Sequence, residues 1–182
     1  YGILYVGFWA SQVDETVSPE NFEIDYYAGI KPVLGPATFD FGVLLYTYPG
    51  IDLDGSEEVV ELKAGVSGEI LTGLSAGAVV YWSDEGIDDG NEYAVYEGSL
   101  AYALPKFLVF DPSVSGLIGF FDDLDDDLND YTYWNAGVTF GWDKFAFDFR
   151  YWDTDADISY AGSDAILSDE RFVFTAKLTY GP

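Results

Sequence analysis

Between Asn21 and Lys31 one parity of the chain holds Phe22, Ile24, Tyr26, Ala28 and Ile30, and the other holds Glu23, Asp25, Tyr27, Gly29 and Lys31. A side-chain period of two belongs to a strand with one apolar and one polar face. The same division returns at Phe145, Phe147, Phe149 and Tyr151 against Ala146, Asp148, Arg150 and Trp152. Near the end Phe172, Phe174, Ala176, Leu178 and Tyr180 stand against Arg171, Val173, Thr175 and Lys177. Weaker versions predict strands over about 2–11, 37–48, 58–70, 73–83, 92–104, 113–121 and 131–141, which makes ten in all. The stretch 113–121 is nearly apolar on both faces, so its register is the least determined.

The connections alternate in length. Long segments follow the odd strands, at roughly 12–21, 49–57, 84–91, 122–130 and 153–170, whereas mostly short turns follow the even ones, at 32–36, 71–73, 105–112 and 141–144. An antiparallel meander puts all long loops at one end and all short turns at the other, as in outer-membrane barrels. Charge follows the same division: 24 of the 33 acids lie in or at the margins of the long segments, which hold no Lys or Arg, while Lys31, Lys106 and Lys144 fall at the short turns. An even strand count returns both termini to the short-turn side.

Composition then removes whole classes of function. Seven basic residues against 33 acidic ones, net −26, exclude a nucleic-acid partner, because phosphate binding needs clustered cations. With neither Cys nor His, thiolate and imidazole metal sites, the familiar nucleophile–His triads and the neutral-pH proton shuttle are all lost. Paired carboxylates such as Asp84/Glu85 and Asp153/Asp155 sit in unbroken negative charge without an apolar pocket to raise one pKa, so no enzyme and no cofactor is expected. The Gly-rich segments lead into no helix and match no nucleotide cradle. No apolar run reaches the ~18 residues of a membrane helix, but a membrane strand needs only about 9 to 11. The chain starts at Tyr1 and has no Met, so we expect a leader, and more, upstream of it.

Alternation alone fits a soluble carrier barrel with its apolar face inward as well as a membrane barrel with that face outward. The polar rows carry Gly29, Gly42, Gly65, Ser67, Gly77, Ser99 and Gly137 with Tyr27, Tyr46 and Tyr133, a composition closer to a crowded lumen than to a solvated exterior. Trp9, Tyr48, Trp82 and Trp152 near the long-loop ends, with Trp142 and Tyr180 near the other, would form two aromatic girdles.

The stretches GFWASQVD (7–14), NFEIDYYAGIKPVLGPATFDFGVLLYTYPG (21–50), YAVYEGSLAYALP (93–105), YTYWNAGVTFGWDKFAFDFRYWDTD (131–155) and RFVFTAKLTY (171–180) resemble the TorF family of porins. The resemblance implies a Gram-negative outer-membrane barrel of twelve strands, of which ten are visible here. It also implies a further N-terminal hairpin upstream and an aromatic C-terminus, from which Gly181 and Pro182 depart.

The expected architecture is therefore all-β, one domain over residues 1–182, an up-and-down antiparallel transmembrane β-barrel. Its lumen candidates are Glu23, Asp25, Asp40, Glu61, Glu69, Glu97 and Asp148 against Lys63, Arg150, Arg171 and Lys177, an acidic excess that favours cations. The expected function is a passive route for small, cation-preferring solutes across the outer membrane, with long acidic loops outside and termini periplasmic. The alternatives are a non-conducting shell whose loops meet lipopolysaccharide, partner proteins or further copies, and a soluble secreted carrier. Asp122, Asp123, Asp125, Asp126, Asp127 and Asp130 offer hard oxygens to calcium but lack the EF-hand spacing, so a solvated acidic loop is the plainer reading.

Overall fold

The computed structural model describes residues 2–12, 22–48, 58–84, 91–125, 130–156 and 169–180. These residues hold eleven strands and no helix. They are β1 (Leu4–Gln12), β2 (Phe22–Ile30), β3 (Val33–Leu34), β4 (Ala37–Thr47), β5 (Val59–Leu71), β6 (Leu74–Ser83), β7 (Tyr93–Ala103), β8 (Asp111–Asp123), β9 (Tyr131–Trp142), β10 (Phe145–Thr154) and β11 (Arg171–Leu178). Hydrogen bonds join them in the order β1-β2-β4-β5-β6-β7-β8-β9-β10-β11, with β3 paired to β4. This is an up-and-down antiparallel sheet in chain order. Among the described residues β1 and β11 are not paired with each other, so the sheet is not closed.

Ten of the strands fall where the period-two pattern places them. The eleventh, β3, lies inside the expected 32–36 turn, where Val33 and Leu34 fold back onto Thr38 and Ala37 around Gly35. Gly35 (φ 61°) and Gly73 (φ 78°) take the left-handed conformation that short hairpin turns require. In the β9–β10 turn Asp143 does so at φ 51°, which a short polar side chain tolerates. Leu108, at φ 53°, has no such excuse and sits at the tip of a turn closed by Phe107 and Phe110.

The residues form two compact units. The first comprises 1–66, 79–96 and 121–130, the second 67–78, 97–120 and 131–182. In both, register fixes which side chains share a face. In the first unit Tyr5 pairs with Gly29, Gly7 with Tyr27 and Asp25 with Tyr46. In the second Asp148 pairs with Thr139 and Thr175, and Arg150 with Gly137 and Val173.

The apolar rows are the exposed ones. Leu62, Leu100, Ile118 and Phe149, none of them on an end strand, are each more than half exposed, and Val6 reaches 84%. The buried polar or charged residues are Glu61, Ser83, Asp123 and Asn135. A water-soluble domain distributes its residues the other way round. Accordingly Phe149 and Phe174, although their rings touch at 4.9 Å, are not packed into a dry interior.

Candidate functional site

Every proposed lumen residue lies on the polar face of its strand, but the face differs in character between the units. In the first unit Glu61 on β5 is 7% exposed and accepts two tyrosine hydrogen bonds, from Tyr46 at 2.7 Å and from Tyr93 at 2.8 Å. Val59 and Ser83, on the same strand parity as the polar face, are also buried, and Phe121 stacks on Tyr93 at 5.1 Å. Asp40 on β4 accepts from Lys63 at 2.7 Å and from Tyr5 at 2.7 Å, with Lys31 at 3.5 Å. Glu23 and Asp25 complete an acidic strip on β2, and Oδ1 of Asp25 is buried without a hydrogen-bond partner. Tyr48, just past the end of β4, donates to Glu23; burial first, and then that bond, push its hydroxyl far above its ordinary range.

Glycine makes this face possible. A methyl group on Gly7 would come within 2.5 Å of the Tyr27 ring, and one on Gly29 would meet Tyr5 and the Phe41 carbonyl. In the second unit Gly119 of β8 is covered by Tyr133 of β9 in the same way. The glycine- and tyrosine-rich rows are thus one device, a ring seated over bare backbone of the neighbouring strand.

The second unit is built around Arg150. Its Nε and Nη2 hold Asp148 in a fork, both at 3.0 Å, Nη1 donates to Asn135 at 2.5 Å, and Nη2 also donates to Ser115 at 2.8 Å. Thr139 adds a 2.6 Å bond to Asp148. The absent side chain of Gly137 leaves the space that the guanidinium fills. Beside it lies a cavity of about 420 Å³, bordered by Ser67, Ser75, Ser99, Ser115, Asn135, Arg150 and Trp152 among others. Elsewhere on this face Glu97 accepts from Tyr133 at 2.6 Å and Glu69 caps the Gly73 amide at 3.2 Å. Arg171 and Lys177 on β11 are exposed.

Some placements depart from the sequence reading. Trp9 pairs with Asp25 and Trp152 with Asn135, so both belong to the polar face and not to an outward girdle; Tyr48, bonded to Glu23, does too. The indoles on the apolar rows are Trp82, Trp134 and Trp142. Of the calcium candidates, Asp126 and Asp127 lie outside the described residues. Asp123 caps the Asp125 amide, Asp130 caps that of Asp123, and Asp125 that of Glu92. Among the described residues no three carboxylates converge on one point. Period two could locate a face but not the partners across it, which is why Tyr5, Tyr93 and Asn135 escaped notice.

A family model described as "Bacterial protein of unknown function (Gcw_chp)" matches residues 2–180. The chain belongs to this family. The Gcw_chp description carries no activity, and the match supplies neither the TorF nor the porin name. No curated protein and no solved structure matches the chain. A functional reading of this Gcw_chp member therefore rests on its own residues.

Proposed function

We propose that this protein is an outer-membrane β-barrel of the TorF porin kind, whose polar face borders a narrow passive route for small solutes with a preference for cations. One observation carries the reading: apolar rows are exposed along the strands while carboxylates and amides are buried. A Leu or Phe side chain left in water forgoes ~1.5–3 kcal/mol, and a whole domain is stable by only ~5–15 kcal/mol. Half-exposed rows such as Leu62, Leu100, Ile118 and Phe149 would forgo a large part of that stabilisation in water, which counts against the soluble carrier. Hydrocarbon removes the penalty. Among the described residues no helix is long and apolar enough to cross a membrane, so any crossing falls to the strands.

The cation preference follows from the first unit, where among the described residues Glu23, Asp25, Asp40, Glu61 and Asp123 share their face with just two cations, Lys63 and Lys31. In this reading the acidic loops lie outside and the termini are periplasmic. The buried Glu61–Tyr46–Tyr93 knot favours a second reading, a shell closed at that level whose loops meet lipopolysaccharide. Heat-modifiable gel mobility and extraction only by detergent test the membrane barrel; migration as a water-soluble species refutes it. Steady ohmic steps in planar bilayers with a cation-biased reversal potential support the pore, and silence supports the shell.

A further inference from the structure

Taken together the lumen candidates carry an acidic excess, but the part of the polar face in the second unit is neutral. Glu69, Glu97 and Asp148 are matched by Arg150, Arg171 and Lys177, and Asp111 at the margin pairs with Lys106 at 3.3 Å. The cavity of about 420 Å³ opens here, a size usual for small-molecule sites. Its strongest group cannot act as a free charge, because Arg150 is held in a fork by Asp148 and fixed further by Asn135 and Ser115. Four of its five N–H donors are used, which leaves one Nη1 hydrogen without an acceptor among the described residues. Asn135 is 95% buried by its own 5% exposure, so the fork is anchored in a fixed position.

Ser67, Ser75 and Ser99 border the same cavity from β5, β6 and β7 beside Ala76, Leu100, Ala101 and Leu117, are exposed residues, and have no protein partner for their hydroxyls among the described residues. Trp152 also lines it. A flat apolar ring, hydroxyls able both to donate and to accept, and a neutralised guanidinium with one spare donor suit a ligand that has hydroxyls of its own, a hydrocarbon face and no net charge. We infer that this cavity is a binding site for small uncharged polyhydroxylated solutes, sugars and polyols. The inference rests on the reading of the polar face as a lumen and names what that lumen holds.

The test uses the full chain folded in detergent micelles and titrated with sucrose, read by tryptophan fluorescence against Trp152→Phe. Binding is expected to saturate in the millimolar range, and the saturable change is expected to vanish in Trp152→Phe. Ser75→Val and Ser99→Val, at exposed positions that strands tolerate, should each weaken binding about threefold to tenfold, the reach of one hydrogen bond. Glucosamine and gluconate, one cationic and one anionic, should bind no better than glucose. A signal linear in sucrose and equal in wild type and Ser99→Val overturns the site, as does saturation that persists in Trp152→Phe. Tenfold tighter binding of glucosamine or gluconate overturns the uncharged class. Channel steps without saturable sucrose binding sink this inference and leave the pore standing; saturable binding without steps supports the site and sinks conduction instead.

Discussion

The two units carry the same alternating strands and yet treat their polar faces in opposite ways. In the first, the face is acidic and filled, with the buried Glu61 held by the hydroxyls of Tyr46 and Tyr93. In the second it is balanced and hollow, with serines exposed on a cavity and one immobilised guanidinium. Alternation sets which side chains share a face; side-chain size and charge decide whether that face becomes a plug or a chamber.

The comparison breaks most readily at Glu61. Glu61→Ala leaves the hydroxyls of the half-buried Tyr46 and the buried Tyr93 without their charged acceptor, and charge-assisted bonds contribute ~1.5–3 kcal/mol each. We expect roughly 3–5 kcal/mol of destabilisation, measured by urea unfolding in lipid or micelles. A loss below ~1 kcal/mol would mean that the knot does not hold the first unit together.

Gly119→Ala comes next. The added methyl collides with Tyr133, so a loss of about 1–3 kcal/mol is expected from overpacking. Combined with Tyr133→Leu the cost should be less than additive, and strict additivity in the cycle would show that ring and glycine are uncoupled.

Selectivity sharpens the contrast in charge. Lys63→Ala and Arg150→Ala each remove one cation from the polar face and should move the reversal potential toward stronger cation preference. The shift expected is roughly a tenth of the ~59 mV that ideal selectivity gives in a tenfold gradient. Lys63 stands among the acids of the first unit and should have the larger effect; unchanged potentials in both variants would contradict the face assignment. Smallest of all is Ser99→Ala, an exposed position on the hollow face, with less than about 0.5 kcal/mol of stability at stake in the same unfolding assay.

Much of this fold is legible in the chain because a strand with one face in each environment writes its period directly into the sequence. The β2, β10 and β11 rows announce themselves, and even β8, apolar on both faces, was located, though it runs two residues further at each end than its pattern. The face of Trp152 was legible by parity and was overridden by its residue type: an aromatic near a strand end suggests a girdle, but its partner across the ladder is Asn135. The short strand β3 was hidden because its turn contains two prolines and two apolar residues, too few for a period. What the sequence could not show was assembly across strands. Glu61, Tyr46 and Tyr93 come from β5, β4 and β7, and only their register brings three hydroxyl and carboxyl groups within bonding distance.

The tyrosine rings laid over Gly7 and Gly119 have a consequence for how such a sheet comes together. If a hairpin zips one residue out of step, the ring meets a side chain in place of bare backbone, and the mistake announces itself as a clash before neighbouring strands are added. Each ring therefore acts as a local gauge of alignment, a form of proofreading that needs no chaperone to read it.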